Sequence, residues 1–187
     1  MPELARLRAA GTCAALLICG PIATAQPVES APEHSIKAAY LYNFATYVDW
    51  PPEALGDADP VFVVGVLGAA RVAGYMAAMT AGREVHGRPI EVRQVASGDS
   101  VDSLHMLFIA ADSAGALPRL RDAAREHSVL VVTEWEGALD SGSIINFRLI
   151  DQRIRFEVSL AAADRCGLSI SSRMLSVAQR VLPRSGE

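Results

Sequence analysis

Three short runs of β-branched and apolar residues constrain this chain most: Val61–Gly68 (VFVVGVLG), Met106–Ala110 (MLFIA) and Val129–Thr133 (VLVVT). None alternates apolar with polar, so each reads as a strand covered on both faces. Helical patterns lie between them. Val72–Met79 is one. Leu117–His127 is another, with Leu117, Leu120 and Ala124 on one side and arginines on the other. A fourth, shorter strand is expected at Ile90–Val95, after the Gly87-Arg88-Pro89 interruption. This alternation predicts an α/β layered sandwich with a mostly parallel central sheet flanked by helices. A C-terminal β-hairpin and helix complete the expected fold.

The hairpin pattern fixes its own register. A two-residue turn at Asp151-Gln152 sets Leu149 opposite Ile154, Phe147 opposite Phe156 and Ile145 opposite Val158, which are all apolar pairs. The other face pairs Asn146 with Glu157 and Arg148 with Arg155. Two opposed arginines repel, and Glu157, diagonal to Arg148, could offset that. Such a face is either a solvated sheet surface or a recognition patch, and Asn146, Arg148, Arg155 and Glu157 are the candidate partner-binding residues. Beyond it, Gly167 is expected to stop a turn over Ala161–Cys166, because glycine takes the left-handed conformation freely. Ser171 or Ser172 can cap a last helix whose buried stripe is Met174, Leu175, Ala178, Val181 and Leu182, with Pro183 after its end.

Upstream, IKAAYLYNFATYVDWP (36–51) reads as a helix ended by Asp49-Trp50-Pro51-Pro52. Ile36, Tyr40, Asn43, Phe44, Tyr47 and Val48 share one face, so Asn43 is expected to be a core asparagine bonded to a neighbouring backbone. The N-terminus carries Arg6 and Arg8, an apolar run from Ala9 to Ile22, and Ala23-Thr24-Ala25. That order describes a secretory signal peptide, residues 1–25, against the alternative of an uncleaved anchor. Residues 26–34 then form a flexible tether and residues 35–183 a single domain.

Cleavage removes two arginines and one glutamate and takes the net charge from −4 to −5. A mildly acidic balance argues against nucleic acid as a partner, since proteins that bind it usually show a basic face. No second apolar run is long enough to span a bilayer, so no membrane insertion is expected after cleavage. Cys13 and Cys19 leave with the signal peptide, so Cys166 remains alone. It is a small buried residue or, in an oxidising compartment, an intermolecular thiol.

Catalytic and metal patterns do not assemble. The histidines (His34, His86, His105, His127) form no His-x-x-x-His pair, so no metal site is expected. Ser171 and Ser172 lack a nucleophile elbow, and Gly65-Val66-Leu67-Gly68 lacks the ending of a phosphate loop. Asp112 and Thr133 end successive strands, as in phospho-acceptor domains. The supporting acidic pair and the lysine of such domains are missing, because Lys37 is the only lysine in the chain. His105, opening a buried strand, reads as a satisfied core histidine. No cofactor is expected, and the chain is not read as an enzyme.

Three blocks in order resemble the YfiR family of periplasmic proteins: residues 36–51, the strand His105–Ile109, and IINFRLIDQRIRFEVSLAAADRCGLSISSRMLSVA (144–178). The resemblance covers about Ser35 to Leu182. It implies a non-enzymatic periplasmic regulator that binds the periplasmic region of a membrane-bound diguanylate cyclase of the YfiN type and restrains cyclic di-GMP production. It also makes a homodimer possible. Relatives commonly carry a cysteine just before the central-strand histidine, where this chain has Leu104. That departure leaves open whether the redox control by disulfides that the resemblance implies extends to this chain. A second reading is a periplasmic small-ligand domain, with Gly68, Ala111, Asp112 and Thr133 lining a crevice at the C-terminal ends of the parallel strands. An exported enzyme of unfamiliar chemistry is a third.

Overall fold

The structure is a computed structural model, and it describes residues 32–56 and 60–184. The expected signal peptide and most of the tether lie outside those residues. Helix α1 (Glu33–Tyr47) begins earlier than expected, so Glu33 and His34 belong to the helix and not to the tether. The short strand β1 (Val48–Asp49) follows it and pairs with β9 (Ser169–Ile170), Val48 opposite Ile170.

The main sheet has eight strands. They are β2 (Phe62–Leu67), β3 (Glu84–Val85), β4 (Arg88–Val95), β5 (Met106–Ile109), β6 (Leu130–Thr133), β7 (Ile145–Ile150), β8 (Arg153–Ser159) and β10 (Arg180–Leu182). Their spatial order is β10-β8-β7-β6-β5-β2-β4-β3. Strands β4, β2, β5, β6 and β7 run parallel, as do β8 and β10, while β7–β8 and β3–β4 are antiparallel hairpins. The mostly parallel α/β architecture is therefore present.

From β2 the chain moves one way to β4, then back past β2 to β5 and on to β6. Right-handed crossovers in opposite directions place their helices on opposite faces. Accordingly α2 (Ala70–Thr80) packs on one face, with Val72, Ala73 and Met76 against Phe62, Val64, Val66, Met106, Phe108, Leu130 and Val132. On the other, α3 (Leu117–Glu126), entered through a 3-10 turn at Ala111–Ala116, sets Leu117, Leu120 and Ala124 against Val63, Leu67, Leu107, Ile109 and Val131. Alternate residues of each central strand thus serve opposite cores, which is why those runs are apolar throughout. Each fully buried large side chain stabilises the fold by about 1.5–3 kcal/mol.

Helix α1 shares the α2 face, but with a different stripe inward from the one expected. Ala38, Leu41, Phe44 and Ala45 are buried, Ile36, Tyr40 and Tyr47 are half-buried, and Asn43 is exposed. The two alanines occupy the inward line, while the tyrosines lie on the flanks, where hydroxyls keep access to water. The expectation of a core asparagine at Asn43 is corrected accordingly.

The hairpin register is as expected in all three apolar pairs and both polar ones. Asp151 and Gln152 have φ of 48° and 58°, the left-handed pair of a two-residue hairpin turn. Leu149 departs from the expectation: it is 59% exposed, because the core ends at Phe147 and Ile154. His86-Gly87 makes a second such turn, with φ of 52° and 73°, joining β3 to β4. What looked like an interruption at Gly87–Pro89 is therefore the start of a strand.

Downstream, Ser159 caps α4 (Leu160–Arg165) by accepting from the N–H of Ala162, and Gly167, at φ 69°, turns the chain after it. Ser171 caps α5 (Ser172–Leu175), accepting from the N–H of Met174. The expected last helix stops there. Arg180–Leu182 instead becomes β10, an edge strand parallel to β8, with the N–H of Gln179 donating to the carbonyl of Phe156 at 2.8 Å.

Candidate functional site

Two places gather polar side chains that the folding core does not need. The first is the crevice at the C-terminal ends of β2 and β5, where the strand order reverses. Gly68 closes β2 at φ 78°, and a Cβ there would lie 2.4 Å from Ser113 Oγ, so only glycine fits. Beside it Lys37 of α1 donates to Glu134 Oε2 at 2.5 Å and also to Glu33. Glu134 Oε1 accepts from the N–H of Ala111 at 3.1 Å. Burial lowers the affinity of Lys37 for its proton, but the bonds and charges of Glu134 and Glu33 outweigh it and raise the Lys37 pKa above its ordinary value. Lys37, Glu134, Arg71, His34 and Gly68 line a cavity of about 370 Å³.

Of the four residues expected in this crevice, Gly68 is on its wall and Ala111 joins it through Glu134. Asp112 points its residue to solvent from the 3-10 turn. Thr133 is fully buried and lines nothing: its hydroxyl meets Ser143 Oγ at 2.8 Å and Asn146 Oδ1 at 2.9 Å. Lys37, Arg71 and Glu134 were missed. A lone lysine within an apolar helix was the available signal, because a cation beside a core demands a partner.

The second place is the outer face of the hairpin. Asn146 was expected on it but is fully buried, tied through Thr133 to Ser143 of the β6–β7 connection. Its Nδ2 has no partner, and turning the amide over would let Nδ2 donate to Thr133 Oγ1 instead. This is a structural polar cluster beneath the surface. What remains outside is Arg148 opposite Arg155, Ile150 opposite Arg153, and Arg180 of β10 beside Glu157. Paired residues point to one side of a sheet, so four arginines share this face. Glu157 forms no ion pair with any of them, and no ion pair or side-chain hydrogen bond joins the guanidinium groups of these four to another described residue. Among the described residues, none of β7, β8 or β10 belongs to the α3-side core, so α3 does not cover this end of the sheet. Ile150, Asp151, Arg153, Arg155 and Gln179 surround a depression of about 430 Å³ there.

The opposite side of the same hairpin is packed. Phe44 of α1 lies 5.5 Å from Phe147 and 5.0 Å from Phe156, and Tyr40 lies 5.9 and 5.6 Å from them, ring centre to ring centre. Aromatic pairs of this kind add about 0.5–1.5 kcal/mol each beyond their burial. They hold the arginine-bearing strands on a rigid base.

Cys166, the possible intermolecular thiol, is 9% exposed. Burial pushes its thiol pKa up, with Arg165 and Arg125 partly opposing, so it is held as an unreactive thiol. His105 is a satisfied core histidine: its Nδ1 accepts from the N–H of Val63 at 3.0 Å. Among the described residues no group of three or more metal-ligating side chains gathers, and no helix is long and apolar enough to cross a membrane.

A sequence model of the family described as YfiR/HmsC-like matches residues 34–179. No curated protein matches the chain. Among solved structures, a conserved domain protein from Vibrio cholerae O1 biovar El Tor str. N16961 superposes with a TM-score of 0.56 at 11% identity. That alignment covers 77% of this chain and 59% of the other. The ABC domain from Streptococcus pneumonia in complex with L-Trp gives 0.47 at 12% identity, over 65% of this chain and 55% of that one. The chain thus spans under three-fifths of each of those proteins.

Proposed function

The chain belongs to the YfiR/HmsC-like family, and on that premise we propose that it is a periplasmic, non-enzymatic regulator of diguanylate cyclase signalling. In this reading it binds the periplasmic sensor region of a membrane-bound cyclase of the YfiN type and restrains cyclic di-GMP production. The family match over residues 34–179 carries the reading. Support comes from the charged, apolar, small-residue order at the N-terminus, which suits export. The protein acts through preference between two states of its partner. To move a cyclase from 1:99 to 99:1 in favour of the inactive form, it must bind that form about 10⁴-fold more tightly.

The hairpin face, with Arg148, Arg155 and Glu157, is the contact we assign to this role, and Asn146 supports it from below. A contact built on paired strands over an aromatic core is rigid before binding and loses little freedom on docking. The test is binding of the immobilised protein to the periplasmic domain of a sensor cyclase encoded beside it. Saturable binding, with lower cyclase output in cells, is expected. A folded sensor domain that does not bind sinks the reading.

The crevice beside Lys37 favours a second reading, a small-ligand domain, because a cavity of about 370 Å³ at a strand-order reversal is where open α/β sheets take ligands. A ligand at 100 times its Kd raises stability by about 2.7 kcal/mol. A thermal-shift screen of periplasmic metabolites with no hit disposes of this alternative.

A further inference from the structure

We propose that the uncovered end of the sheet is a docking surface for an acidic segment of a protein partner, gripped by Arg148, Arg153, Arg155 and Arg180. The identity of that partner rests on the regulator reading above; the charge argument does not.

The register puts Arg148 directly across from Arg155. Like charges directly opposed in an antiparallel pair destabilise it, and an exposed position would accept threonine or glutamate at no cost to the core. Arg153 continues the row on β8 and Arg180 flanks it on β10. The chain as a whole has 21 acidic residues against 17 basic ones, so this concentration is not a by-product of composition. Among the described residues two carboxylates lie near it, Glu157 within the face and Asp151 at its turn, and neither is ion-paired to any of the four. A guanidinium is weakly hydrated and presents a planar fork that fits a carboxylate through two bonds, which makes arginine the usual cation of protein interfaces. Four such forks on strands backed by Phe147 and Phe156 are preorganised for several carboxylates on one segment.

Glu157 decides between an acidic protein and an anionic membrane. A uniform sheet of anionic headgroups is drawn to the arginines but leaves the Glu157 carboxylate facing like charge. A protein segment supplies a donor to Glu157 and carboxylates to the arginines, which fixes its direction along the strands.

The experiment uses the full protein with three probes: fluorescein-labelled decaglutamate, vesicles containing phosphatidylglycerol, and the periplasmic domain of the neighbouring cyclase. Decaglutamate is expected to bind, more weakly as salt rises. Arg155→Glu and Arg148→Glu are each expected to weaken binding about tenfold, equivalent to about 1.4 kcal/mol. Either change replaces a repelling pair by an attracting one, so each variant is expected to melt no lower than the wild type. A loss of binding therefore cannot be put down to unfolding.

Decaglutamate that fails to bind, or binds both variants as well as the wild type, overturns the proposal. Vesicle binding without peptide binding also overturns it, in favour of a membrane surface. So does self-association abolished by the same two changes, which would make the face an interface between copies. If the cyclase domain binds and ignores both changes, the regulator reading stands and the acidic docking site falls. If the cyclase domain does not bind but decaglutamate does, sensitively to Arg155→Glu, the docking site stands and the regulator reading falls.

Discussion

Lys37 Nζ lies 2.5 Å from Glu134 Oε2, ninety-seven residues further along the chain, and this contact ties the first turns of α1 to the end of β6. Glu134 passes the tie on to the N–H of Ala111, at the end of β5. Lys37 and Glu134 keep only 12% and 16% of their side-chain surface, so the pair is shielded more than an ordinary surface bridge.

A pH dependence follows. The folded Lys37 pKa is raised above 10.5. A raised basic group contributes stability that is fully present below its unfolded pKa and is lost as pH climbs through the folded one. Lys37→Met is expected to cost about 3 kcal/mol at pH 7, since it strands Glu134 without its cation. The gap between wild type and variant is expected to begin narrowing as pH rises past about 10.5 and to go on narrowing toward the higher folded pKa. Urea titrations at pH 7 to 11 measure it. A gap that stays constant to pH 11 refutes the assignment.

His105 extends the sheet beyond its strands. Its Nδ1 accepts from the N–H of Val63, its own N–H donates to the Val63 carbonyl at 2.9 Å, and its ring stacks on Phe62 at 4.8 Å. Its carbonyl accepts from Leu130 N–H and from Trp50 Nε1. His105→Ala leaves the buried Val63 donor without its acceptor and opens a cavity, for an expected loss of about 2–4 kcal/mol. His105→Asn keeps an acceptor near the Nδ1 position and is expected to cost about half as much. Equal losses in the two variants, by chemical denaturation, would show that packing alone is at stake.

The central strands and the hairpin register were legible in the sequence because short-range chemistry dictates both. Continuous apolar runs specify two covered faces, and Asp151-Gln152 accepts the left-handed turn that aligns Phe147 with Phe156. The C-terminal segment was not legible. Met174, Leu175, Ala178, Val181 and Leu182 fit helical spacing over fewer than three turns, a length at which isolated helices are marginal. The free edge of β8 captured Arg180–Leu182 as a strand instead. The asparagines failed in mirror image: Asn43 is exposed and Asn146 is buried. Both errors come from reading a face by period alone. For Asn146 the covering element was the β6–β7 connection, which has no period to read.

Cys166 tests whether burial or neighbouring arginines govern its thiol. Burial dominates and pushes its pKa up, so reaction with a disulfide reagent at pH 8 is expected to be at least tenfold slower in the native protein than in urea. Cys13 and Cys19, if still present, would add to the signal, so the processed protein is the right sample. Equally fast labelling of the native protein would restore the intermolecular thiol as a candidate.

Leu104 stands just before His105, and the structure shows what the leucine does there. Gly65 sits in the middle of β2, and a Cβ on it would lie 2.6 Å from Leu104 Cδ1 and 3.3 Å from Leu107 Cδ1. Leu104 is 4% exposed, so its methyl groups fill the space that a glycine strand position leaves open. The two positions are therefore one packing unit. Gly65→Ala is expected to cost about 1–3 kcal/mol by overpacking, and Leu104→Ala about 2–5 kcal/mol by leaving a cavity. Together they are expected to cost less than the sum of the two by at least about 0.5 kcal/mol, because the added methyl then enters the vacated space. Simple additivity in a double-mutant cycle would mean that the leucine does not fill the glycine's gap. Coupling would show that Leu104 serves packing at this position.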